Sequence, residues 1–154
     1  MKPFLIILLL LLVVVLESAS ASLFDFLEVS PNLVLSLVLS LVLLKDFRQV
    51  WRYLLVIGLL ADFFSGLPFG LISLSLVITG YSVSLLNRTT FSAVSFWVIA
   101  GFAFLGTFFY NFLQIFFYRL FFSPISVGLN YLLLESFYNF LIILIFFHGL
   151  KKRL

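Results

Sequence analysis

The sequence predicts an all-α integral membrane protein, a single domain of six transmembrane helices with both termini on the cytoplasmic side. Three observations lead there. Of 154 residues, 64% are hydrophobic and only 10% charged, with a mean hydropathy of +1.31; a soluble domain of this size leaves too much surface in water to hide so many apolar side chains. The apolar residues come in runs separated by short breaks, and a bilayer core roughly 30 Å thick takes about 20 residues per helical span, so the chain has room for about five to seven spans. The basic residues fall between those runs with a strong bias to one side.

The first run follows Lys2 and covers residues 4–22. Its end, "ESASAS", resembles a signal-peptidase site behind a short apolar core, so two readings stand: a segment removed near Ser22, or a retained first span whose small residues lipid tolerates. The second span covers 31–46 and opens at "SPN", where Ser30 can cap the helix and Pro31 suits a first turn that needs no N–H. It stops at "KDFR". The third span covers 50–64, the fourth 69–86 up to "NRTT", and the fifth 92–118, long enough to tilt. Pro124 in "FFSPIS" breaks the chain before a sixth span over 127–147.

Counted by loop, Lys2, Lys45, Arg48, Arg52, Arg88, Lys151, Lys152 and Arg153 fall on one side and Arg119 on the other. That is the positive-inside pattern, and it places both termini in the cytoplasm. The acidic loop with Glu17, Asp25 and Glu28 then faces outward.

Several function classes drop out. With no cysteine and one histidine, His148, an ordinary zinc site cannot be assembled. No nucleophile with a partner base is present, and Gly66 and Gly70 lie in an apolar hairpin without the lysine of a phosphate loop. The expectation is a protein that is not an enzyme and carries no cofactor. The basic residues do not form the patch that nucleic acid requires. Trp51 and Tyr53 read as interface anchors, and Ser36 and Ser40, four apart, as a close helix contact.

The intramembrane polar residues carry the remaining information, since such groups are costly and face protein or water. In "GLLADFFSGLPFG", residues 58–70, Gly58, Asp62 and Gly66 recur every fourth residue, and Gly58 and Asp62 share a helix face that a neighbour could approach closely. Fifteen residues from 50 to 64 rise only about 22 Å, short of the bilayer core, which puts the connection after them at membrane depth. Gly66 can end the third helix in a left-handed conformation and Pro68 can start the fourth. Asp62 is then placed to accept the unpaired N–H groups of the fourth helix, a structural cap in a buried corner. The alternative is a proton-relay or substrate-binding carboxylate.

Two further polar stripes lie at matching depth, about 12 Å from the outer ends of their spans. Asn111, Gln114 and Tyr118 follow one another on the fifth span, and Tyr131, Glu135 and Asn139 on the sixth. The expectation is a polar cluster in the outer half of the bundle joining Glu135 and Asn139 to Asn111 and Gln114, with Asp62 near it. Plain interhelical hydrogen bonding, about 0.6 kcal/mol per contact, is the competing account.

Taken together, "SPNLVLSLVLSLVLL", the basic turn, and "GLLADFFSGLPFGLISLSLVITGYSVSLLNR" resemble the bacterial rod shape-determining protein family MreD. That family shows Gly-Leu-x-x-Asp-x-x-x-Gly-x-Pro-x-Gly leading into its fourth span, matched here by Gly58, Leu59, Asp62, Gly66, Pro68 and Gly70. It shows Pro-Asp-Leu at the second span, where this chain has Pro31, Asn32 and Leu33. The resemblance covers residues 1–90 and extends beyond them only in hydropathy and length. It implies a non-enzymatic subunit of the cell-elongation complex in the cytoplasmic membrane. Its partner there would be an MreC-type bitopic protein, and through it the MreB filaments, the RodA glycosyltransferase and its class B penicillin-binding protein. The MreD fold is in turn similar to the substrate-binding subunit of energy-coupling-factor vitamin transporters, which supplies the alternative function.

Overall fold

The computed structural model describes residues 3–20, 29–90, 95–121 and 128–152. They form six α-helices: α1 Pro3–Ser20, α2 Leu33–Leu44, α3 Phe47–Ser65, α4 Leu71–Thr90, α5 Phe96–Phe121 and α6 Leu129–Lys151. By length and composition α4, α5 and α6 can each cross a membrane. Among the described residues the protein is therefore all-helical, with the apolar spans of a membrane protein. The segment around Ser22, the acidic residues Asp25 and Glu28, Pro124, Lys2 and Arg153 lie outside the described residues.

The shortest helix is the centre. α2 packs against all five others, while α1, α3, α4, α5 and α6 follow one another around it. Every residue of α2 from Val34 to Leu43 is buried. A helix apolar on all sides is one surrounded by protein or lipid, and here it is protein. Against α6 the side chains shrink to Ser36 and Ser40, both fully buried. Ser40 donates to the Ser36 carbonyl at 2.8 Å and faces the Ile143 carbonyl at 3.4 Å. The register 36 to 139 and 40 to 143 means that α2 and α6 run parallel. Small residues let the two backbones approach, as expected of Ser36 and Ser40.

Several boundaries differ from the sequence reading. The second helix starts at Leu33, because Asn32 and not Ser30 is its cap, and Pro31 lies outside the helix. The third starts at Phe47: the amides of Gln49 and Val50 already bond to the Asp46 carbonyl at 2.8 and 3.3 Å, so only Lys45 and Asp46 connect α2 to α3. With 19 residues α3 rises about 28 Å, not 22 Å. At the turn after it Phe63 and Phe69 are 77% and 72% exposed, while Ala61, Asp62, Leu71 and Ile72 around them are buried. The fourth helix starts at Leu71, so Pro68 belongs to the turn and supplies the carbonyl that Leu71 N–H reaches at 3.2 Å. α6 runs on through His148 to Lys151.

The basic residues gather at one end. Arg88 pairs with Asp46 across the surface, which sets the end of α4 beside the turn between α2 and α3. Lys45, Arg48, Lys151 and Lys152 share that end, because α6 finishes alongside α2. Arg52 stacks over the Trp51 ring at 5.5 Å and Lys151 over Phe147 at 5.9 Å. Such placements keep the charge at a polar boundary while the stem and ring stay apolar.

Candidate functional site

The polar site sits at the opposite end and follows from the shortness of α2. Twelve residues rise about 18 Å, so the first N–H groups of α2 lie well inside the bundle. Backbone donors away from water must find partners. The cap residue of α2 and two other helices supply them. The Asn32 side chain accepts from Leu35 N–H at 2.7 Å, Glu17 at the end of α1 accepts from Val34 N–H at 2.7 Å, and Asn139 of α6 accepts from Asn32 N–H at 2.8 Å.

The network extends from Asn139. Its amide donates to Thr107 Oγ1 on α5 at 3.1 Å. One turn further along α5, Asn111 donates to Glu135 Oε2 and to the Thr107 carbonyl, each at 3.0 Å. The two stripes thus face each other, with Glu135, Asn139 and Thr107 buried. Gln114 does not share the Glu135 contact: its amide donates to the Tyr110 hydroxyl on its own helix, and that hydroxyl lies against the Asn32 side chain. Tyr131, on the rim, lies against Ser30.

Asp62 makes a second cap built on the same plan. Its two oxygens accept from Ile72 N–H at 2.8 Å and Ser73 N–H at 3.1 Å, the first free amides of α4. An anion is favoured there by the helix dipole. Gly58 makes this reach possible, because a Cβ at that position would stand 2.6 Å from the Ser73 Cα. Gly66 closes α3 at φ +67°, and Ser65 Oγ accepts from Leu67 N–H at 3.1 Å. Asp62 is not hydrogen-bonded to Glu135. The two carboxylates belong to separate sets of hydrogen bonds.

Between the two caps lies a cleft of about 250 Å³. Val14, Glu17 and Ser18 of α1, Val34, Ala61, Phe64 and Ser65 at the end of α3, Ile72 and Tyr110 line it.

Glu17 is the principal correction. The sequence places it in an outward acidic loop, whereas it is on α1, half-buried and turned to α2. Thr107 and Tyr110 were also missed. Their signal was present: with Asn111 and Gln114 they follow an i, i+3, i+4, i+7 pattern on α5. Among the described residues, no three His, Cys, Asp or Glu side chains form a metal-binding group. No protein-family model, curated protein or solved structure matches the chain.

Proposed function

We propose that this protein is a non-enzymatic subunit of the bacterial cell-elongation machinery, an MreD-like protein of the cytoplasmic membrane. It would cross the bilayer six times with both termini inside, and position an MreC-type bitopic partner by helix packing. The observation that carries the reading is the residue 58–70 corner. Five of the six signature positions have a physical task there, Leu59 being exposed: Gly58 admits α4, Asp62 caps it, Gly66 and Gly70 take φ of +67° and +95°, and Pro68 supplies a turn carbonyl. A motif in which five positions do separate work is poorly explained by chance composition. The gathering of Lys45, Arg48, Arg88, Lys151 and Lys152 at one end supports the orientation. Depletion in the rod-shaped host tests the role: rounding of the cells, with an MreC-type protein recovered by cross-linking, is the expected result. Unchanged rods would refute it.

The second reading, a substrate-binding subunit of a vitamin transporter, is favoured by the cleft beside Glu17. A vitamin copurifying with the protein, together with normal rod shape on depletion, would select it.

A further inference from the structure

The outer face of α3 changes character along its length. At 3.6 residues per turn, positions 48, 52, 55 and 59 fall within an arc of about 60°, and Arg48, Arg52, Leu55 and Leu59 are all exposed there. Phe63, also exposed, continues the stripe. The opposite face, with Val50, Leu54, Ile57 and Ala61, is buried. A face that met water would stay polar throughout, and one that met only lipid chains would stay apolar. This one carries two cations at the basic end of the bundle and is apolar beyond them.

Both arginines are available to an anion. Among the described residues, the acid at that end is Asp46, and Arg88 takes it in an ion pair. Arg52 lies over the Trp51 ring at 5.5 Å, which steadies the guanidinium and leaves its N–H edge for an acceptor. Arg48 and Arg52 stand about 6 Å apart along the axis, close enough for both to reach one phosphate. From Arg52 to Phe63 is about 16 Å, the depth of one leaflet of a bilayer core roughly 30 Å thick. Only Lys45 and Asp46 connect α2 to α3, so these cations lie on a helix end at headgroup level and not on a loop that reaches into solution.

We infer that this face of α3 binds an anionic phospholipid, with the phosphate held by Arg48 and Arg52 and an acyl chain along Leu55 and Leu59. The guanidinium groups supply charge-assisted hydrogen bonds to phosphate oxygens. The leucines cover the first part of the chain. Leu59, which does nothing inside the residue 58–70 corner, has a task here. The site needs a bilayer around the chain and no elongation partner, so rod-shape and lipid experiments fail separately.

The test is thermal unfolding of the full chain in detergent, with lipid titrated into the micelles and each variant read against its own lipid-free Tm. Phosphatidylglycerol should raise Tm saturably by at least about 3 °C, and phosphatidylcholine with the same chains by less than about half as much. Inorganic phosphate at matched ionic strength should give no gain. Arg48→Gln with Arg52→Gln should weaken the apparent affinity at least about tenfold, whereas Lys151→Gln with Lys152→Gln, which removes the same charge from the same end, should change it less than about threefold. Leu59→Gln removes no charge and should weaken it about threefold. Because the protein is already folded, these readings are independent of how its basic residues oriented it during insertion. No gain from phosphatidylglycerol, an equal gain from phosphatidylcholine, the full gain from inorganic phosphate, or equal losses in the two double variants would overturn the inference. So would an unchanged affinity in Leu59→Gln.

Discussion

Replacing Gly58 by alanine adds one methyl group at the tightest approach in the bundle. The new Cβ would stand 2.6 Å from Ser73 Cα and 2.8 Å from Ser73 Cβ, where ordinary contact begins at 3.4 Å. Neither atom is the tip of a flexible side chain, so α3 and α4 must part by about 1 Å to restore normal contact. That shift carries Ser73 N–H, now 3.1 Å from Asp62 Oδ2, out of hydrogen-bonding range. Overpacking costs about 1–3 kcal/mol, and a lost bond to a charged group about 1.5–3 kcal/mol. Alanine's helix propensity returns up to about 1 kcal/mol. The net is a loss of about 1.5–6 kcal/mol, a fall in Tm on the order of 10 °C. Intrinsic fluorescence of Trp51 and Trp97 during thermal unfolding in detergent would follow it. Gly101→Ala is the matched control, because a Cβ there meets nothing within 4 Å, and it should be neutral or slightly stabilising. If Gly58→Ala unfolds no earlier than Gly101→Ala, the close approach does not govern the corner.

Asp62→Asn keeps one acceptor for Ile72 N–H and should cost about 1 kcal/mol, whereas Asp62→Ala leaves two buried donors unpaired and should cost about 3 kcal/mol; similar Tm values for the two would show that the cap carries little. Gly66→Ala meets no steric contact but must hold φ +67°, so it should cost about 1 kcal/mol, and a larger loss in the same melt would reveal a packing role. A double-mutant cycle on Asn111→Leu and Glu135→Gln should return a coupling of about 0.6 kcal/mol and below about 1.7 kcal/mol, the range for hydrogen bonds between membrane helices; zero coupling would mean that the 3.0 Å contact is not energetically used. Asn139→Leu removes the acceptor for Asn32 N–H, and with it the shared bond to Thr107, and should lower Tm more than either single change in that cycle.

Much of this architecture was legible in the sequence. Composition alone requires lipid as the solvent, and the breaks at "KDFR" and "SGLPFG" mark where α2 and α3 end, whereas α4 runs on through "NRTT" to Thr90 because a charged residue near a helix end does not interrupt its backbone hydrogen bonds. Asp62 as a cap for the next helix, and the facing of Glu135 and Asn111, were also readable, since both follow from fixed helical rise and spacing. Glu17 was not. Whether an acid at the end of an apolar run joins a loop or turns inward depends on what stands beside it, and no periodicity reports that. The same holds for Asn32 and Asn139, one hundred and seven residues apart and joined by a single 2.8 Å bond.

The sequence by itself determined that this chain lives in a membrane, how many helices it forms and which helix ends need capping, because hydrophobic burial and backbone pairing act locally. Only the tertiary structure decided that the shortest helix is the centre. A 12-residue helix enclosed by five longer ones leaves its first amides inside the bundle, and Glu17, Asn32 and Asn139 converge there because nothing else can satisfy them. The cleft beside Glu17 is the consequence of that packing.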